Sequence, residues 1–147
     1  MSKFTFILGL AGSGKSFLAK EMKQKDKSLL VVDDDFHPIQ NKDKFDKDIE
    51  KIKQAVLNNS DIVIIEGAFC FKDFRDPMRG YLKLLFPTVD FEWMCFENNI
   101  AKANKNLDNE DRKDRNPEGH KNMNINTSAK YSYPDECKII PIFEKEL

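Results

Sequence analysis

The sequence has no apolar run of membrane length, no paired cysteines and almost no net charge. Its longest early apolar stretch, Phe4 to Ala11, is too short to span a bilayer and runs into a glycine-rich turn. It reads as a first strand rather than a secretion signal, so the expectation is a soluble cytoplasmic protein. Three cysteines, Cys70, Cys95 and Cys137, are odd in number and form no C-x-x-C pair. That excludes both a zinc-ribbon spacing and a disulfide framework, and the three read as ordinary semi-buried thiols. A formal net charge of -1 gives no general attraction to nucleic acid, which makes a long nucleic acid the least favoured partner. Internal repeats and low-complexity linkers are also lacking.

What is present suits one folded domain. The chain has 147 residues, 40% of them hydrophobic and 33% charged. Strands are predicted at Phe4–Leu8, at Ser28–Asp33 around Leu-Leu-Val-Val, at Asp61–Ile65, an unbroken apolar run bounded by charge, and at Val89–Phe96, with a short terminal strand at Lys138–Ile142. Between them, helical spacing predicts helices at Lys15–Lys25, at Lys42–Asn58 (Phe45, Ile49, Ile52, Val56 and Leu57 on one side), at Arg75–Phe86 and at Asn98–Leu107. Pro77 is tolerable only in a first turn. Strands alternating with helices imply an α/β fold, a three-layer sandwich whose mostly parallel sheet of about five strands is covered on both faces. The charged, Asn-rich stretch 108–134 breaks this rhythm. Asn116, Asn122, Asn124 and Asn126 lower its helix propensity, so it reads as a mobile lid. Tyr131 and Tyr133 read as core rim, with packing on a nucleotide base as the alternative. Trp93, Phe91 and Met94 read as sheet packing.

Two clusters carry chemistry. Gly9-Leu10-Ala11-Gly12-Ser13-Gly14-Lys15-Ser16 satisfies G-x-x-x-x-G-K-[ST] between a strand and a helix. Glycines let the backbone curl around phosphate oxygens, and the helix start offers unpaired N–H groups. Lys15 supplies a charge for the β/γ-phosphates and Ser16 a hydroxyl for Mg²⁺. The expected ATP-binding set is Gly9, Ala11, Gly12, Ser13, Gly14, Lys15, Ser16 and Phe17. The second cluster, Asp33-Asp34-Asp35-Phe36-His37-Pro38, leaves the sheet at its carboxyl edge, where ligands bind in open α/β sheets. Transfer of a phosphoryl group to a hydroxyl needs one carboxylate to accept a proton and another to hold the magnesium shell. The competing reading is a solvated acidic turn with an Asp helix cap. His37 either touches substrate or is hydrogen-bonded within its turn. Glu66, ending Ile62–Ile65, suits ordering of a magnesium-bound water.

With these residues the chain resembles the small-molecule P-loop kinases, most of all the gluconate kinase branch with its shikimate kinase-like fold. The resemblance rests on the phosphate loop, on Asp33-x-Asp35-Phe36 followed by His37-Pro38, Asn41 and Lys44, and on Lys72-Asp73-Phe74-Arg75-Asp76-Pro77-Met78-Arg79. More loosely, Arg112, Arg115, Gly119 and His120 resemble a lid. Adenylylsulfate, uridine and polynucleotide kinases share some of these features. By this resemblance Asp33 would hold magnesium, Asp35 would be the base, Arg75 and Arg79 would orient an anionic group on the acceptor, and Arg112 and Arg115 would close over the transferring phosphate. The bland alternatives are a salt-bridged face with Asp73 and Asp76 for the first pair of arginines, and simple solvation for the second. The expectation is a kinase using Mg²⁺ and ATP on a small hydroxyl-bearing acceptor: a sugar acid, nucleoside or nucleotide. An NTP-binding or NTP-hydrolysing regulator, or a degenerate kinase acting as a binding partner, is the alternative.

Overall fold

The computed structural model describes residues 2–33, 35–109 and 116–143. Strand β1 (Lys3–Leu8) is buried from Phe4 onward, because helices cover both of its faces. The chain then alternates α1 (Lys15–Lys25), β2 (Leu30–Val32), α2 (Lys42–Leu57), β3 (Ile62–Ile65), α3 (Lys72–Leu85) and β4 (Asp90–Phe96). A helix pair, α4 (Ile100–Asp108) and α5 (Pro117–Lys130), leads to β5 (Lys138–Ile140). The five strands are parallel throughout, in the order β2-β3-β1-β4-β5. The chain first winds outward from β1 to β2, and the β3–β4 crossover then passes to its other side. This makes the carboxyl end of β1 the switch point of the sheet.

Alternation along β1 feeds two cores. Phe4, Phe6 and Leu8 pack with Phe45, Ile49 and Ile52 of α2 and with Met78 and Leu82 of α3. On the opposite face Ile7 packs with Ala19 of α1 and Ala103 of α4. Phe6 stacks on Trp93 at 4.3 Å between ring centroids and meets Phe69 edge-on at 5.3 Å. The expected α/β sandwich is therefore the observed fold, and none of its described helices is long and apolar enough to cross a membrane.

Among the differences from expectation, three have a clear local reason. Strand β2 does not begin at Ser28, because the Asp26 carboxylate accepts from both the backbone N–H and the hydroxyl of Ser28 and holds it in a turn. Helix α3 begins at Lys72 rather than Arg75, and the Arg75 N–H donates to Phe71 O at 2.9 Å. Pro77 thus stands in the second turn, where it deprives the Asp73 carbonyl of its helical donor on an exposed side. Most of the lid stretch from 116 to 130 is a helix. Asn116 caps α5 by accepting from Gly119 N, and Pro117 occupies its first turn. The low helix propensity of its asparagines is outweighed by this cap and by a buried tertiary contact of Asn124.

Phe6 is fully buried under three aromatic neighbours besides Trp93. Phe6→Ala should therefore lower unfolding stability by about 3–5 kcal/mol in a urea titration, with the folded circular dichroism spectrum retained.

Candidate active site

The loop leaving β1 is shaped by two left-handed glycines, Gly12 at φ 86° and Gly14 at φ 106°. A side chain at Gly12 would also place its Cβ 2.4 Å from Ala103 O, so only glycine fits there. Within the loop, Ser13 N donates to Leu10 O, and Lys15 Nζ folds back to donate to Gly9 O at 2.8 Å and Leu10 O at 2.9 Å. Gly14 O accepts from Leu18 N and starts α1, whose N-terminus carries no side-chain cap and no acidic residue in its first turn. Such an end offers donors and a positive dipole to an anion. Ser16 and Phe17 are exposed in that first turn, whereas the Ser13 hydroxyl is buried without a partner among the described residues.

Two residues that the sequence reading did not single out as site residues hold this loop from behind. Asn124 of α5 accepts from Ala11 N and donates to Ala11 O, both at 2.9 Å. Asn106 of α4 donates to Gly12 O at 2.9 Å and to Phe143 O at 2.7 Å. The Ala11 N–H, expected to face ATP, is thus engaged by a side chain. The only relevant sequence signal was an excess of asparagine, which carries no information on partners 113 residues away.

The loops after β2 and β3 meet beside it. Phe36 is fully buried against Phe45, which pins the acidic loop, while Asp33 and Asp35 just before it are exposed. Asp35 adopts φ 54°, and its carbonyl accepts from His37 N. His37 Nδ1 accepts from Ile39 N and Gln40 N while its ring stacks on Phe74 at 4.7 Å, so the histidine organises its own turn. Glu66 sits where the two loops meet, accepting from Ala68 N, with the Phe36 backbone near enough to favour its charged form. Burial pushes the Glu66 carboxyl above its ordinary value, and the nearby Asp35 charge adds to the rise, while the backbone donors and His37 oppose it. Cys70 lies buried under the loop after β1, and burial pushes its thiol up to about 11 despite Lys15, the Gly9 backbone amide and Arg75 nearby. It is an uncharged packing group.

Arg75 and Arg79 are placed differently from one another. Arg75 is buried and donates through Nη1 to Phe69 O and Ser132 O, both at 2.8 Å, and through Nη2 to Ser132 Oγ at 3.0 Å. Its partners are protein carbonyls and a hydroxyl, not Asp73 or Asp76. Arg79 is exposed and, with Lys72, Arg75, Trp93 and Ser132, lines a cavity of about 630 Å³ along α3. Neither Asp35 nor His37 lines that cavity. Tyr131 donates its hydroxyl to Phe96 O, and Tyr133 accepts from Asn98 N, both in rim positions of the core. Asp34, Arg112 and Arg115 lie outside the described residues.

Among the described residues, no three of His, Cys, Asp and Glu gather as a metal cage. The Ser16 hydroxyl and the Asp33 carboxylate are exposed hard oxygen donors, the donor type that magnesium takes alongside waters and phosphate oxygens.

Solved structures similar to this chain include a gluconokinase from Sinorhizobium meliloti 1021, with a TM-score of 0.61 and 13% identity over 98% of this chain and 84% of that one. At this identity the likeness is one of fold. No family model and no curated protein matches the chain.

The raised Glu66 pKa has a defined consequence for stability. A carboxyl that binds its proton more tightly when folded adds stability as pH falls through the folded pKa, and that gain is complete below the unfolded value. Urea midpoints of wild type and Glu66→Gln measured from pH 7 downward should therefore diverge in wild type's favour just above the ordinary carboxyl range. Parallel curves would contradict the burial of this carboxyl.

Proposed function

We propose that the chain is an ATP-dependent phosphotransferase that moves the γ-phosphate of Mg-ATP to a hydroxyl of a small acceptor. The observation that carries this reading is the loop of residues 9–16. It has two left-handed glycines, a lysine folded over its carbonyls and an uncapped helix start at the switch point of a parallel sheet. The kinase-like fold, shared with a gluconokinase, supports it. In this reading Lys15 and the first N–H groups of α1 bind the phosphates. Magnesium, held by Ser16 and Asp33, would neutralise charge on the phosphate oxygens. Asp35, exposed at a strained turn beside Glu66, takes the proton of the acceptor hydroxyl. The acceptor oxygen forms a bond to the γ-phosphorus, the bond to the bridging β,γ-oxygen breaks, and ADP leaves with that electron pair. Arg79 and Lys72 suit an anionic group on the acceptor, whereas Arg75 supports the wall that they share.

Release of ADP from Mg-ATP across sugar acids, nucleosides, nucleotides and a 5′-hydroxyl oligonucleotide tests this directly. One acceptor class should stimulate release. Lys15→Ala should abolish the stimulation, and Asp35→Asn should lower kcat about 10²–10⁴-fold with the fold intact. Tight Mg-ATP binding with no stimulating acceptor would favour a nucleotide-binding regulator instead.

A further inference from the structure

We propose that Asn124 is a positioning residue that holds the phosphate-binding loop in its anion-receiving shape from the side of α5. Asn124 is the one buried residue of α5 and is 1% exposed, while its apolar neighbours Met123 and Ile125 are 51% and 58% exposed. Apolar packing therefore does not explain how this helix sits on the loop. The Asn124 amide does: Ala11 N donates to its Oδ1, and its Nδ2 donates to Ala11 O, so the side chain pairs with one residue of the loop as a neighbouring strand would. Its second N–H donates to Asn104 Oδ1 at 3.1 Å, which fixes the amide's orientation, because a flipped amide would oppose oxygen to oxygen at two contacts.

The next residue is held too, through Gly12 O and Asn106 Nδ2. Two successive loop residues, Ala11 and the left-handed Gly12, are thus tied outward to α5 and α4 where the loop turns toward Gly14. Ordering this half of the loop in advance removes a reorganisation step that nucleotide binding would otherwise have to drive. The proposal rests on reading residues 9–16 as a nucleotide-phosphate site.

The test combines amide hydrogen exchange on the nucleotide-free full chain with calorimetric titration of Mg·ADP, for wild type, Asn124→Leu and Asn104→Ala. In wild type the Ala11 amide should be protected. In Asn124→Leu its exchange should accelerate, and Mg·ADP affinity should fall, each by about tenfold or more, while the core amides of Phe6 and Ile64 keep their protection. Asn104→Ala should move both quantities the same way by less. An Asn124→Leu protein with an intact core and an unchanged Ala11 amide, or with unchanged affinity, would overturn the proposal. Should Asn124→Leu lose its core protection, Asn104→Ala decides, and wild-type exchange at Ala11 in that variant would be the overturning result. A wild-type chain that binds no Mg·ADP would instead sink the nucleotide reading of the site, and Ala11 exchange would still show whether Asn124 holds the loop.

Discussion

A backbone loop that wraps an anion must aim its N–H groups inward, and it keeps that curvature only when its remaining polar groups are satisfied elsewhere. Here that constraint is met from three directions. Strand β1, hydrogen-bonded between β3 and β4, fixes where the loop begins. Lys15 satisfies two loop carbonyls from within. Asn124 and Asn106 satisfy the outward groups of Ala11 and Gly12 from the α4–α5 pair. The rest of the sandwich follows from this placement, since the loops after β2 and β3 reach the same sheet edge with their carboxylates.

The sheet and most helices were legible in the sequence because they depend on local pattern. Ile62–Ile65 is an unbroken apolar run and Phe4–Leu8 is interrupted only by Thr5, a pattern that strands buried on both faces require. The tight turn of residues 9–16 was legible because its glycines and Lys15 answer to their own local geometry. Helix α5 was not, because its reasons are a cap at Asn116 and one amide buried against a loop more than a hundred residues away. Propensity averages over such contacts and so pointed to a mobile segment. The role of Arg75 was hidden in the same way. Its residue type suits an anion, yet its fork is taken by Phe69 O and Ser132, the latter 57 positions distant.

Electrostatics separates the site into unlike parts. Beside the exposed Asp35, the Glu66 carboxyl is partly buried, and burial holds it closer to its neutral form than an ordinary carboxylate. Beneath the loop, Cys70 stays a thiol, so the positive end of α1 and Lys15 faces no buried thiolate there. Along α3 the cavity beside Trp93 mixes charges, with Lys72, Arg79 and Lys83 set among Asp76 and Asp135.

The central claim is that the loop after β1 is where nucleotide phosphate binds. A titration of Mg·ADP into ¹⁵N-labelled protein, followed by amide spectra, tests it most directly. The account predicts the largest shifts at Gly9 to Phe17, with Gly14, Lys15 and Ser16 moving most and the amides along α3 from Gly80 onward moving little. Shifts concentrated along the α3 cavity, with the loop amides unmoved, would contradict it.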